Sequence, residues 1–385
     1  MGETDDDPVW AVGLMSGTSL DGVDAALLRT DGVTVEAFGP GAERPYRPGD
    51  ADAIAAVMNA PSDYRPPSND ARARQLSEAA ADVDRLHAEA TASLIAGSGL
   101  SPELVGYHGQ TVAHDPEAGW TWQLGDGEAL ARAVNRPVVW DFRNADMEAG
   151  GEGAPLAPFY HWALARHIGL AAPVAFLNIG GVANVTWVDP RAPSPETPGA
   201  LLAFDTGPGN ALLNDWMMRR VGAPLDRGGA AAVAGTVARG ALSLSNEAMS
   251  RAVAYLDRPA PKSLDRNDFS GFVDAIGGLS TEDGAATLTA TTVDMIALSG
   301  PKLPSPPARW LVCGGGRKNP VMMLGLAERL GVPVEPVEAV GLDGDMLEAQ
   351  AFAYLAVRVA RGLPTSAPST TGCAAPVVGG RIARP

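Results

Sequence analysis

An aspartate that ends an apolar run and is followed by Gly-Pro-Gly is well placed to act as a base. Asp205 is such a residue: residues 201–204 run into Asp205-Thr206-Gly207-Pro208-Gly209-Asn210. A carboxylate at the end of a buried strand, on a rigid turn, has little freedom, and partial desolvation raises its pKa toward the range a general base needs. The same spacing also suits an N-cap or Asx turn. A second candidate lies near the start of the chain. The apolar run 9–15 enters Ser16-Gly17-Thr18-Ser19-Leu20-Asp21-Gly22-Val23-Asp24, and apolar sequence resumes at residues 25–28. Glycine lets the backbone approach an anion, so this turn can aim N–H groups and hydroxyls at phosphate. Asp21 and Asp24 could hold Mg²⁺, directly or through water, together with phosphate oxygens. The alternative is a plain β-hairpin with a polar turn.

The strand-then-glycine pattern recurs at Asn178-Ile179-Gly180-Gly181 and at Cys313-Gly314-Gly315-Gly316. One such turn is weak evidence of a site, whereas three in one chain match the several moieties of a nucleotide. His108-Gly109-Gln110-Thr111, with Gln123 and Asp126-Gly127 after the next strand, offers the hydroxyl, amide and carboxylate partners that a sugar requires. A polar surface hairpin would look similar. Asp345 and Glu348 sit one helical turn apart ahead of Ala349, Ala351 and Ala353. They read either as a hinge helix near the nucleotide or as an acidic first turn favoured by the helix dipole.

These elements need a scaffold, and the chain is long enough to supply one. Its 385 residues allow two domains. Strands are expected at 104–107, 138–140, 174–179, 182–188, 201–204 and 310–313. Helices are expected near 80–97, 158–167, 211–221, 246–255, 285–298 and 345–361. No sequence repeat of 20–50 residues is visible. The formal net charge of -16 argues against non-specific nucleic-acid binding and against an anionic membrane surface. An anionic substrate must then be met by local N–H groups, Arg or Mg²⁺. The two cysteines, Cys313 and Cys373, are too far apart for a CxxC site. No signal peptide or membrane helix is evident, and a cytoplasmic protein is expected. None of the three lysines follows a glycine, which excludes a Walker A loop. The kinase HRD and DFG set, GxGxxG, GxSxG and HExxH are absent as well.

Taken together, these segments resemble the anhydro-N-acetylmuramic acid kinases of the acetate-and-sugar-kinase/Hsp70/actin group. The resemblance rests on the run from Gly13 to Asp24, His108-Gly109-Gln110-Thr111-Val112, Asp141-Phe142-Arg143 and Gly153-Ala154-Pro155-Leu156. It continues through Leu177 to Asn184, Asp205 to Asn210, Cys313 to Gly316 and Glu348 to Ala353. It implies an α/β, two-domain actin-like (ribonuclease H-like) ATPase fold. Each domain would be a mixed β-sheet flanked by helices, with the active site in the interdomain cleft. Residues 1–141 with about 362–385 would form one domain, and residues 142–361 the other. ATP and Mg²⁺ would be the cofactors, an amino sugar the substrate and a homodimer the assembly, with no nucleic-acid or membrane partner.

The implied reaction opens the 1,6-anhydro ring with water while O6 is phosphorylated, as a step of peptidoglycan recycling. Asp205 would activate the water. Ser16 through Asp24, Asn178, Gly180, Gly181 and Gly314–Gly316 would bind ATP, with Asp21 toward the metal. His108, Gln110, Thr111, Asp126, Asn184, Gly207 and Asn210 would bind the sugar, and Glu348 would lie at a hinge or near the nucleotide. Leu225, Leu264-Asp265 and Asp343 depart from the family pattern. The competing readings are a non-catalytic nucleotide-dependent sugar sensor and an ordinary hexosamine kinase. If the first turn cradles phosphate, Gly17→Val fills the space the anion needs and restricts φ and ψ. Calorimetry should then show loss of ATP affinity with the melting temperature only modestly lowered. Unchanged ATP binding would remove the turn from this role.

Overall fold

A computed structural model of the chain describes residues 7–17, 20–58, 70–240, 247–262, 264 and 269–385. Internal contacts divide the chain into two compact units, Met1–His167 with Met346–Pro385 and Ile168–Asp345. The expected division at 141/142 and about 361/362 differs from this one over residues 142–167 and 346–361. Those two segments carry helices that pack with the first unit, as described next.

Unit 1 is built on a sheet of β1 (Val9–Ser16), β2 (Gly22–Thr30), β3 (Val35–Pro45), β4 (Leu104–Asp115), β5 (Trp120–Leu124), β6 (Val138–Trp140) and β12 (Arg381–Ala383). The order is β12-β6-β4-β1-β2-β3, with β5 pairing β4. Strands β1, β4 and β6 are parallel, while β2 and β3 run back and forth beside β1. Its helices are α1 (Asp52–Met58), α2 (Asp70–Ser98), α3 (Gly127–Val134), α4 (Asn144–Glu148), α5 (Pro158–His167), α12 (Leu347–Ala360) and α13 (Pro368–Thr371). Val83, Leu86, Ala90 and Leu94 of α2 join Val12, Leu14, Val23, Leu27 and Val105 of the sheet in one core.

Helix α12 covers the other face, and it does so at very short range. A Cβ on Gly13 would stand 1.8 Å from the Ala349 carbonyl oxygen, and one on Gly106 would stand 2.1 Å from that of Phe352. Adjacent strands β1 and β4 therefore both present bare backbone to the helix, Gly13 pairing with Gly106 across the ladder. The helix answers with small residues, Ala349, Ala351 and Ala353, all buried. This packing explains why the segment 346–361 belongs to unit 1 although all of unit 2 precedes it.

Unit 2 repeats the same plan. Strands β7 (Val174–Ile179), β8 (Val182–Val188), β9 (Leu201–Pro208), β10 (Trp310–Cys313) and β11 (Val334–Pro336) form a sheet in the order β11-β10-β7-β8-β9. The first three strands are antiparallel neighbours, and β7, β10 and β11 are parallel. That is the order and orientation of β3-β2-β1-β4-β6 in unit 1, a ribonuclease H-like plan used twice. The repeat is one of topology, which explains why no sequence period marks it. The helices are α6 (Ala211–Val221), α7 (Ala230–Ala234), α8 (Glu247–Leu256), α9 (Ser270–Ala275), α10 (Thr281–Ser299) and α11 (Pro320–Leu330). Leu213, Trp216, Leu288, Ile296, Met322 and Leu326 pack against Leu177, Val185 and Val312 of the sheet. Ser280 caps α10, accepting from the Asp283 N–H, and Asn319 caps α11 with Pro320 in its first turn.

Two strands run further than the sequence suggests. Strand β4 continues from Tyr107 through His108 to Asp115, with a left-handed kink at Gly109 (φ 74°). Strand β9 continues through Asp205 to Pro208. In both, pairing with a neighbour holds polar residues in a ladder that local composition would assign to a turn. Gly106→Ala drives a methyl group into helix backbone that cannot rotate away. A loss of about 1–3 kcal/mol or more is expected, read as a lower midpoint of thermal unfolding. An unchanged midpoint would mean that α12 can lift without cost.

Candidate functional site

The polar residues singled out by sequence gather at one end of each sheet. In unit 1 they stand at the C-terminal ends of the parallel strands β1, β4 and β6, the edge where α/β sheets place ligands. Ser16 ends β1, is buried, and donates from its hydroxyl to the Gly109 carbonyl at 3.4 Å. Gln110 is fully buried and donates to the Gly17 carbonyl at 3.2 Å, while its Oε1 has no partner among the described residues. The first turn and the His-Gly-Gln-Thr segment are thus one structure. Thr18 and Ser19 lie outside the described residues. Leu20 has φ 54°, a left-handed conformation that reverses the chain into β2. The carbonyl of Asp21 accepts the Tyr46 N–H at 2.8 Å, and the residue is exposed. Gly22, Val23 and Asp24 are already strand, and Val23 lies in the core. A ligand at this turn would meet backbone rather than the Val23 side chain.

His108 is buried beneath Phe352 of α12, with ring centroids 4.7 Å apart. Its Nε2 accepts from Arg143 Nε at 3.1 Å, and Nδ1 faces the Gly109 carbonyl at 2.8 Å. A guanidinium only donates, so the ring carries its proton on Nδ1 and is neutral. Burial first, and the Arg143 charge second, hold its pKa well below 6.5. Arg143 also donates to the Gly153 carbonyl at 2.8 Å. Burial lowers its pKa to about 10 against the opposing charges of Glu348 and Asp146, so it stays cationic at neutral pH. Glu348, exposed in the first turn of α12, thus lies within the electrostatic reach of Arg143.

The loop below is locked by Asp146, fully buried. Its Oδ1 accepts from the Ser366 and Thr371 hydroxyls and its Oδ2 from the Gly153 N–H at 2.8 Å. Beside His108 a cavity of about 240 Å³ opens, walled by Trp122, Gln123, Trp140, Asp141 and Arg381. Thr111 accepts from Gln123 Nε2 at 3.2 Å. Asp126 caps α3, accepting from the Glu128 and Ala129 N–H groups, and is not part of the cavity wall.

In unit 2 three strand ends meet. The Asn210 N–H donates to the Gly180 carbonyl at 2.7 Å, and the Gly209 N–H to that of Gly181 at 3.0 Å. A Cβ on Gly209 would stand 2.2 Å from the Gly180 oxygen, so glycine is required at 209 for the contact. Asn210 Nδ2 donates to the Ile179 carbonyl at 3.0 Å. Gly314, in the left-handed region at φ 71°, lies against Asn178 Oδ1 and the Ile179 backbone, and Gly316 against the Ile179 side chain. The turns Asn178–Gly181 and Gly314–Gly316 are therefore neighbours. Gly207 packs on Met295, and Asn184 pairs with Asp205 across β8 and β9. Asp205 is half-buried and held from both sides: its N–H donates to the Lys262 carbonyl at 3.2 Å, and its Oδ2 accepts from the Leu264 N–H at 2.8 Å. Leu264 acts through its backbone, so its departure from the family pattern leaves this bond in place. Among the described residues, no group of three or more His, Cys, Asp or Glu could hold a metal ion, and no helix is long and apolar enough to cross a membrane.

A family model described as anhydro-N-acetylmuramic acid kinase matches residues 9–385. The chain belongs to the anhydro-N-acetylmuramic acid kinase family. It is 54% identical over 380 residues to anhydro-N-acetylmuramic acid kinase 1 of Jannaschia sp., covering 98% of this chain and 96% of that one. It is 52% identical over 377 residues to the anhydro-N-acetylmuramic acid kinase of Cereibacter sphaeroides, again covering 98% and 96%. Among solved structures, component A of (R)-2-hydroxyglutaryl-CoA dehydratase from Acidaminococcus fermentans aligns over 92% of this chain and 99% of that one. It has a TM-score of 0.47 at 11% identity.

In this kinase the sequence reading omitted Arg143, Asp141, Trp140 and Lys262 from the site. The first three follow or end β6, and the rule that ligands meet the carboxyl ends of parallel strands would have found them. Lys262 carries no such local signal. The neutral His108 has a measurable consequence. Nitrogen NMR should show the Nδ1–H tautomer unchanged from pH 8 to pH 5.5. The unfolded chain, with a histidine pKa near 6.5, takes up the proton first. Stability should therefore fall as pH drops below that value, by about 1.4 kcal/mol per unit for this group. Protonation of His108 above pH 5.5 would contradict the arrangement.

Proposed function

We propose that this chain transfers the γ-phosphoryl group of ATP to O6 of 1,6-anhydro-N-acetylmuramic acid while water opens the anhydro ring. The products are N-acetylmuramic acid 6-phosphate and ADP, and the reaction serves cell-wall recycling in the cytoplasm. The observation that carries the reading is Asp205, gripped at its N–H and at Oδ2 amid the glycine turns of unit 2. A kinase that only transferred phosphate to a free hydroxyl would need no attack at the anomeric carbon. The bicyclic sugar needs a water nucleophile, and a fixed carboxylate is suited to activating it.

Asp205 takes a proton from water, whose oxygen attacks C1. The C1–O6 bond breaks with its electron pair going to O6. That oxygen attacks the γ-phosphorus, and the bond to the β-phosphate oxygen breaks to release ADP. Opening the ring thus generates the nucleophile for phosphoryl transfer. Phosphoryl transfer is governed by positioning and charge, and the N–H groups around Gly180, Gly181 and Gly314–Gly316 suit the nucleotide. In unit 1 the Ser16–Gly17 turn offers phosphate contacts, and His108, Arg143 and the adjacent cavity offer sugar contacts. Mg²⁺ would neutralise charge on the phosphates, and the exposed Asp21 carboxylate suits an ion that keeps several waters.

Asp205→Asn preserves an acceptor for the Leu264 N–H and removes the base. Turnover should fall by about 10²–10⁴-fold with ATP binding and melting temperature retained. In the parent enzyme, turnover in ¹⁸O-water should place the label at C1 of the product. Near-normal turnover of the folded variant, or an unlabelled C1, would overturn the reading.

A further inference from the structure

Lys262 is a buried cation held by backbone oxygens, with no carboxylate bonded to its ammonium among the described residues. It is 4% exposed, and its ammonium group donates to three backbone carbonyls, Tyr255 at 3.2 Å, Leu256 at 2.8 Å and Arg258 at 2.8 Å. Tyr255 and Leu256 end α8, so the charge sits where the helix leaves its last carbonyls unsatisfied and its dipole is negative. The Phe204 and Tyr255 rings face the ammonium, each with its centroid 5.0 Å away. Phe204 directly precedes Asp205. The Lys262 carbonyl accepts both the Asp205 N–H at 3.2 Å and the Tyr255 hydroxyl at 3.0 Å. Two residues on, the Leu264 N–H reaches Asp205 Oδ2.

We infer that Lys262 is a positioning residue for Asp205: it ties the end of α8 to the backbone at Lys262 and Leu264, which fixes Asp205 at its N–H and at one carboxylate oxygen. The inference rests on the reading of Asp205 as the base. Every group needed for the relay is satisfied at both ends, and the cation spends all three of its protons on the task. Burial is the main reason its pKa drops to about 8, with Lys302 and Arg258 adding to the fall and Asp257 opposing it. Turning the carboxylate away from the Leu264 N–H would misdirect proton abstraction without touching the glycine turns.

The test compares three variants under saturating ATP and anhydro-sugar. Lys262→Met keeps length and removes the three donors; kcat should fall by ~10–100-fold, the scale of a misplaced catalytic group, while KM for ATP stays within about twofold. Lys262→Arg restores donors and charge and should recover most of kcat. Leu264→Pro removes the N–H on Oδ2 and also fixes φ at 264; with the fold retained it should lower kcat in the same way, which keeps the idea testable if Lys262→Met does not fold. Full kcat in folded Lys262→Met or in Leu264→Pro would overturn the inference. So would a loss of kcat matched by an equal loss of ATP affinity and of melting temperature, which marks a purely structural role. Asp205→Asn, run beside them, separates the two claims. If it stays active, the base assignment fails; if it is inactive while the Lys262 variants are normal, only the positioning role fails.

Discussion

Unit 1 depends on one close approach. Helix α12 can lie on the sheet only because Gly13 and Gly106 offer it no side chains, leaving the Ala349 and Phe352 carbonyls where a Cβ would otherwise sit. Three consequences follow from that contact. It seals one face of the sheet with alanines. It sets Phe352 over His108, which buries the imidazole and keeps it neutral. It also brings Glu348 within the electrostatic field of Arg143. A helix standing a few ångströms higher would leave His108 solvated and free to titrate. Sheet packing and site electrostatics are, in this unit, one constraint.

Unit 2 solves a related problem with backbone alone. Gly209 meets the Gly180 carbonyl, and the N–H groups of Gly209 and Asn210 satisfy the two carbonyls of the Gly180-Gly181 turn. The polar backbone of one turn is thereby neutralised by the next. This gathers the strand ends of β7, β9 and β10. Asp205 is then oriented by a segment about sixty residues away in sequence. Rigid donors around a mobile proton are what catalysis by positioning requires.

The two units share strand order and orientation but no visible sequence period. A ribonuclease H-like sheet asks only for an antiparallel meander followed by parallel crossovers, and many sequences meet that demand. The glycines illustrate the difference between plan and detail. Gly13 and Gly106 of unit 1 sit mid-strand under a helix, whereas Gly180, Gly181 and Gly314 of unit 2 sit at strand ends. Each is dictated by its own close contact rather than by the shared topology.

Much of the site was legible in the chain itself. Apolar runs ending in Ser-Gly-Thr-Ser, Asn-Ile-Gly-Gly, Asp-Thr-Gly-Pro-Gly-Asn and Cys-Gly-Gly-Gly mark strand ends by local chemistry. The motif Asp205–Asn210, joined to the run from Gly13 to Asp24, was specific enough to imply the family. Strand length was not legible, because His108–Asp115 and Asp205–Pro208 are extended by partners far away in the chain. The N-capping of α3 by Asp126 was also hidden, since an Asp-Gly pair after a strand reads equally as a ligand-binding turn. The role of Lys262, and the pairing of Arg143 with His108, became visible only in three dimensions. An arginine hydrogen-bonded to a histidine 35 residues away, and a lysine buried on backbone carbonyls, leave no pattern in local sequence. Sequence by itself determined which residues can do chemistry and where strands run, because turn chemistry and hydrophobic runs are local, but not how far β4 and β9 extend. Tertiary structure alone decided which of those residues meet, which protons they keep and how Asp205 is held, because burial and long-range hydrogen bonds arise only on packing.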